Sequence, residues 1–154
     1  MTDIRFRKAG RADVPAIVAM LADDGLGAGR EDASLPLDPS YYTAFEAIDA
    51  DPNQMLVIAE SPAGEPIGTM QLTVLPGLSM KGTWRGQIEA VRIAAPHRGQ
   101  GLGKVMMDWA EEYFRKRGCG LLQLSTNVTR ADAHRFYARL GFEASHVGMK
   151  RKLQ

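Results

Sequence analysis

The spacing of hydrophobic positions changes in a definite order along the chain. Ile4-Arg5-Phe6-Arg7 alternates apolar and polar, as a half-buried strand does. Val14, Ile17, Val18 and Leu21 then recur on one helical stripe. Pro15 is tolerated only in a first turn, so this helix starts between Arg11 and Val14. Asp23 to Pro36, rich in glycine, acids and small residues, reads as a loop. Asp38-Pro39 opens a second helix with Tyr41, Tyr42, Phe45 and Ile48 as its apolar contacts, and Asp51-Pro52 ends it. Met55 to Ala59 is an unbroken apolar run, suited to a strand covered on both faces. A turn at Pro62 to Glu65 leads to Ile67–Leu75, the expected hairpin partner. After a connection over Pro76 to Thr83, Gln87–Ile93 supplies the next strand.

The strongest helical pattern follows. Leu102, Val105, Met106, Trp109, Ala110 and Tyr113 form one stripe, with Lys104, Asp108, Glu111, Glu112 and Lys116 on the other side. Leu121 to Leu124 is a short strand, parallel to Gln87–Ile93 because a helix joins the two. Ala133, Phe136, Tyr137 and Leu140 stripe a last helix with Gly141 at its C-cap, and Phe142 to Leu153 is read as at least one final strand. The order β-α-α-β-β-β-α-β-α-β predicts an α/β fold, one domain over residues 1–154, with a mixed central sheet and helices on both faces.

Composition narrows the function. Hydrophobic residues make up 45% of the 154 and charged residues 24%, an ordinary globular balance. A net charge of +1 argues against nucleic acid as a partner. Lys150-Arg151-Lys152 reads as a solvated terminal strand or tail. The single cysteine, Cys119, excludes an intrachain disulfide and fits a reducing compartment. Flanked by Gly118 and Gly120, it reads as a small buried residue rather than a catalytic thiol. No apolar run is long enough to span a membrane, and Arg5, Arg7, Lys8, Arg11 and Asp13 interrupt any leader pattern. The expectation is a cytoplasmic protein without a membrane partner; a homodimer is left open.

The chemistry concentrates between Val91 and Lys104, where a strand enters a glycine-rich turn and a helix leaves it. Such a turn, followed by the positive end of a helix, suits a phosphate or pyrophosphate. The P-loop spacing fails, since Arg98 stands where its first glycine belongs and Val105 where its hydroxyl belongs. The dinucleotide fingerprint fails as well, its third glycine falling on Lys104 or Met106. Arg98-x-x-Gly101-x-Gly103 fits a third pattern, and Ala133-His134-Arg135-Phe136-Tyr137-Ala138-Arg139-Leu140-Gly141-Phe142 follows it. In these two blocks the chain resembles the GNAT acetyltransferases, most clearly from Ile88 to Phe142.

That resemblance implies acetyl-CoA as co-substrate, no metal, and a splayed pair of parallel strands. It implies a bulge in the Gln87–Ile93 strand, with Val91 and Ile93 offering backbone groups to the pantetheine arm. The cofactor-binding set it implies is Val91, Arg92, Ile93, Arg98, Gly99, Gln100, Gly101, Leu102, Gly103, Lys104, Asn127 and Arg130. Where the family often has an asparagine, this chain has Arg130, with Asn127 as a nearby substitute. Arg130 is open to a cofactor phosphate, an acidic substrate or a plain place in the helix's first turn.

Acyl transfer to an amine calls for a base and an acid, because an alkyl amine is protonated at neutral pH. Glu89, an acid in an otherwise apolar strand, is the candidate base, its pKa expected to rise on burial. The alternative is a solvated carboxylate or one paired with Arg85 or Arg92. Tyr137 is the candidate general acid toward the leaving thiolate, or else a core aromatic. His97 and His134 have no partner visible for triad chemistry. The expected activity is N-acetylation of a small primary amine. The rivals are a protein N-acetyltransferase and a non-catalytic acyl-CoA sensor. Trp84 to Glu89 loosely resembles members acting on small amines, phosphorylated and phosphonate ones included. Asp23, Asp24, Glu31 and Asp32 would instead favour a cationic acceptor if they lined the pocket.

Overall fold

A computed structural model describes residues 3–154; Met1 and Thr2, counted in the single domain expected from the sequence, lie outside the described residues. Five strands form one sheet in the order β1 (Arg5–Lys8), β2 (Gln54–Glu60), β3 (Pro66–Leu75), β4 (Trp84–Ile93) and β5 (Cys119–Leu124). The first four pair antiparallel, and β5 runs parallel to β4. The helices are α1 (Val14–Ala22), α2 (Pro39–Ala50), the single turn α3 (Ser79–Gly82), α4 (Leu102–Lys116) and α5 (Ala131–Arg139). Asp38 caps α2 by accepting from the Ser40 amide at 2.9 Å, and Pro39 fits its first turn.

The unbroken apolar run of β2 is explained by layers on both sides of the sheet. Val57 and Ala59 face α4 in a cluster with Met70, Leu72, Val74, Ile88, Met106, Ala110 and Phe114. Ile58 points the other way and packs with Ala9 and Ile17 under α1, while Leu56 also meets Val14, Val18 and Phe45 of α1 and α2. Alternation along one strand thus anchors helices on both faces. The buried stripe of α4 is broader than its spacing predicts, since Met107 and Phe114 are also buried. Trp109 is drawn sideways into a stack with Phe6 at 5.1 Å and Tyr113 at 5.8 Å.

The final strand expected over Phe142–Leu153 is not formed. Residues 143–154 carry no strand pairing and are exposed throughout. Apolar residues do alternate there, but the segment meets no strand edge of its own chain to complete a ladder.

Gly86 lets α4 lie close to the sheet. A Cβ at this position would fall 2.5 Å from Cγ of Phe114, which is fully buried. Gly86→Ala is therefore expected to destabilise the protein by about 1–3 kcal/mol through overpacking. Denaturant unfolding checks this, and adding Phe114→Leu should return part of the loss. A loss of the same size with and without Phe114→Leu would mean the contact is not the cause.

Candidate active site

The site begins at an irregularity in β4. Glu89 pairs with Gln71 and Arg92 with Thr69, so one residue of β3 faces two of β4. Ala90 takes φ 53°, a left-handed conformation uncommon for alanine. This bulge resets the alternation of the strand. Val91 and Ile93 turn to the side of α4 and pack with Phe136 and Tyr137, whereas Glu89 and Arg92 turn to the other face. The parallel ladder with β5 ends at Ile88↔Leu124, so β4 and β5 separate beyond it.

A groove of about 560 Å³ fills the separation. Val91, Ile93, Phe136 and Tyr137 line it beside the glycine turn Gly99-x-Gly101-x-Gly103 and Leu102. Gly101 is the N-cap of α4, with φ 82°. No atom lies within 4 Å of where a Cβ would stand on Gly99 or Gly101, so the turn presents bare backbone to the groove. The first amides of α4 open here without helical partners. This set of donors suits a pyrophosphate. Lys104 lies at the rim, paired to Asp108 at 2.6 Å. The Arg98 side chain bonds the Ile93 carbonyl at 2.9 Å and the Asp23 carbonyl at 2.9 Å, tying the turn to β4 and to the loop after α1.

At the other end, three charges meet. Asp24 Oδ2 lies 2.9 Å from Arg92 Nε and 3.1 Å from Arg130 NH2. Burial opposes ionisation of Asp24, but the Gly27 amide, Arg130 and the charge of Arg92 prevail and hold its pKa at about 2. Arg92 is pulled below its ordinary value by burial, with Asp24 opposing. Its Nε–H is not aligned on the nearby carboxylate and finds no other acceptor. Tyr137 is half-buried, and burial raises its pKa against the lowering charges of Arg92 and Arg130. The phenol is therefore protonated at neutral pH. Its ring packs edge-on against Phe136 and Phe142.

The chain matches the model of the acetyltransferase (GNAT) family over residues 25–142, most of its length. It belongs to the GNAT acetyltransferases. It is similar to the aminoalkylphosphonate N-acetyltransferase of Salmonella typhimurium, 37% identical over 114 residues that cover 74% of this chain and 73% of that protein. Streptothricin acetyltransferase of Streptomyces lavendulae is 32% identical over 130 residues, 83% of this chain and 58% of that one. A solved chain described as a transcriptional regulator from Bacillus halodurans superposes with a TM-score of 0.94 at 44% identity, covering 98% of this chain and 100% of that chain.

Several sequence expectations need correction. Glu89 is exposed on the open face of β4 and does not line the groove, so the desolvation expected there is absent. Gln100 turns its amide back to the Pro96 carbonyl at 3.2 Å, outside the groove lining. Asn127 is engaged by the Thr129 amide and hydroxyl in the turn before α5, and does not reach the groove. Arg130 does. Of the loop acids, Asp24 lines the groove but is neutralised by its two arginines, while Asp23 contacts Arg98 and Glu31 accepts from Tyr41. An acidic pocket wall suited to a cationic acceptor is thus not built. The pairing of Asp24 with Arg92 and Arg130, and Phe136 and Arg139 as groove walls, were missed; the Phe-Tyr pair was the signal available for Phe136. Cys119 is half-buried at the start of β5, where burial raises its thiol pKa.

Gly101→Val should weaken binding of acetyl-CoA, the family's donor, by about 10-fold or more, because a branched Cβ enters open groove space and opposes the positive φ. Gly118→Val, at φ 80° and away from the groove, is the control for backbone strain alone. Calorimetry giving equal affinities for both variants and the parent would remove the turn from the donor site.

Proposed function

We propose that this chain transfers the acetyl group of acetyl-CoA to the primary amine of a small molecule that also carries an acidic group, a phosphonate or phosphate foremost. The observation that carries this reading is the convergence of Arg92 and Arg130 on the single carboxylate of Asp24 beside Tyr137. Two guanidinium groups against one carboxylate leave a positive charge at the reacting end of the groove. The forked donors of arginine match the tetrahedral oxygens of a phosphonate or phosphate. Similarity to an aminoalkylphosphonate N-acetyltransferase supports the same class of acceptor.

Acetyl-CoA supplies the activated thioester. The bare backbone at Gly99 and Gly101, with the first amides of α4, holds the pyrophosphate, and Val91 and Ile93 flank the arm. Tyr137 keeps a proton on Oη and delivers it to the departing sulfur. Glu89 shares the open face of β4 with Arg92 and takes up the amine proton through water. No buried metal-ligating group enters this account, and the cytoplasm is the proposed compartment, where acetyl-CoA and a free Cys119 thiol coexist. A second reading, a non-catalytic acyl-CoA-binding sensor, has one observation behind it: the Bacillus halodurans chain is described as a transcriptional regulator.

Thiol release from acetyl-CoA with a panel of amines separates these readings. ω-Aminoalkylphosphonates or phosphorylated amino sugars should exceed neutral amines of equal length in kcat/KM by about 10- to 100-fold, and Arg130→Gln should erase most of that margin through KM. A preference for polyamines would sink the acidic-acceptor reading. Cofactor binding without thiol release from any amine would favour the sensor.

Tyr137→Phe should lower kcat by about 10- to 1,000-fold with little change in donor affinity. Because burial raises the phenol above its ordinary 10, the parent should lose no activity to this group on the alkaline side below that pH. A stable Tyr137→Phe protein with parental kcat, under conditions where chemistry limits the rate, would exclude the phenol as the acid.

A further inference from the structure

The side chain of Arg98 spans the two backbones that carry the charged cluster at the reacting end of the groove. Its Nε donates to the Ile93 carbonyl at 2.9 Å. One terminal nitrogen donates to the Asp23 carbonyl at 2.9 Å and to the Asp23 carboxylate at 3.4 Å. Ile93 follows Arg92 at the end of β4, and Asp23 precedes Asp24 in the loop after α1. Arg92 and Asp24 meet at 2.9 Å. One guanidinium thus grips the residue next to each member of that ion pair. Its planar fork fixes the separation of the two backbones, which a flexible point charge does not.

The loop needs such a hold. Gly25, Gly27 and Gly29 leave its backbone little intrinsic restraint. Its other contacts fold it on itself and on its own helix. The Asp23 amide closes α1 on the Ala19 carbonyl at 3.1 Å. Asp24 Oδ1 accepts from the Leu26 amide at 2.9 Å and from the Gly27 amide. Gly27 lies so close to α1 that a Cβ there would fall 1.9 Å from the Leu21 carbonyl oxygen. None of these contacts reaches β4. Apart from the pairs of Asp24 itself, the bonds of Arg98 are the polar contacts that tie residues 23–29 to the sheet and the donor turn, among the described residues. Oδ1 of Asp24 serves the loop, so Oδ2 is left to face Arg92 and Arg130. A shift of Asp23 would carry Oδ2 away from both.

We infer that Arg98 is a positioning residue for the acceptor: by bracketing Ile93 and Asp23 it keeps Asp24 in register with Arg92 and Arg130. This role rests on the reading of Arg92 and Arg130 as the groups that receive the acceptor's acidic end. It differs from holding the donor's phosphates, although Arg98 opens the glycine turn. Three of its five N–H bonds are spent on Ile93 and Asp23. The donors suited to a pyrophosphate are the backbone amides of the turn and of α4, and these remain when the side chain is cut back. The Asp23 carboxylate adds little, since it is 59% exposed and such surface pairs are weak. The bracket works through the two carbonyls.

Arg98→Gln and Arg98→Lys test this in the full chain. The Arg98 side chain is 47% exposed, so both variants keep the fold. With acetyl-CoA saturating and an ω-aminoalkylphosphonate varied, Arg98→Gln should raise the acceptor KM by about 10-fold, while the calorimetric Kd for acetyl-CoA stays within about 3-fold of the parent. Hydrogen exchange in the absence of any substrate should find the Leu26 and Gly27 amides less protected in Arg98→Gln than in the parent. Arg98→Lys keeps the charge but loses the fork, and should follow Arg98→Gln in all three measurements. The inference is overturned if the donor Kd takes the loss while the acceptor KM holds, or if Leu26 and Gly27 keep their parental protection. It is overturned equally if Arg98→Lys matches the parent, because charge alone would then suffice. The acidic-acceptor reading fails by a different result, a parent that prefers neutral amines or polyamines; amide protection, and the KM for the amine then preferred, still decide for or against the bracket.

Discussion

One inserted residue in β4 governs the geometry of the groove. Had Ile88 to Ile93 alternated regularly, Val91 and Ile93 would have shared the open face with Glu89, and Arg92 would have pointed into the core under α4. With two residues of β4 facing one of β3, Val91 and Ile93 become the apolar wall below Phe136 and Tyr137, and Arg92 comes out toward Asp24. The insertion holds Ala90 at φ 53°, which costs about 1–2 kcal/mol for a residue with a Cβ. Antiparallel pairing to β3 on both sides, at Glu89 and at Arg92, keeps it in place. Glycine at this position would relieve the conformation but loosen a strand that must present two faces in a fixed order.

The two ends of the groove work by different means. At the turn the chain offers backbone: bare glycines, the first amides of α4, and an arginine that braces the Ile93 carbonyl. Groups of this kind suit phosphate oxygens and carry no information about an acceptor. At the far end the chain offers side chains, Arg92 and Arg130 on Asp24, with Tyr137 alongside. In the proposed reaction, donor recognition would thus rest on conformation, and acceptor choice on replaceable side chains. Asp24 remains ionised throughout the neutral range, because its pKa is held at about 2.

This division explains what was legible in the sequence. Glycine spacing reports backbone conformation directly, and Gly99 and Gly101 do form the turn entering α4, with Gly103 in the helix's first turn. Strong periodicity did the same for the helices and for the buried strand β2. Polar side chains were less readable, because their direction depends on partners distant in sequence. Asn127 belongs to its own turn through Thr129, and Gln100 to Pro96, although both lie near the groove in sequence. Glu89 looked buried because its neighbours are apolar, yet strand alternation places it on the open side. Asp24 lay in a run of loop acids, and only the fold brings it to arginines far along the chain. The tail beyond Phe142 carries apolar residues at strand spacing but joins no strand of the sheet, and spacing alone does not report whether an edge lies within reach.

The separation of faces also bears on how protons move in the proposed reaction. The amine must lose one and the sulfur must gain one, and the two candidate groups lie on opposite sides of β4, Glu89 by strand alternation and Tyr137 by packing on the α4 side. Glu89 is exposed, so a proton it receives through water passes readily to solvent. Tyr137 sits in half-buried surroundings, where burial favours the neutral phenol. After giving up its proton it would be a phenolate beside Arg92 and Arg130, whose charges oppose the effect of burial. In the proposed reaction the two arginines would therefore serve twice: they would supply the positive charge for an acidic acceptor, and they limit how far the phenol is disfavoured from ionising. Losing either would weaken acceptor binding and also make proton delivery from Tyr137 harder, so effects on KM and on kcat at this end of the groove are coupled by the same charges.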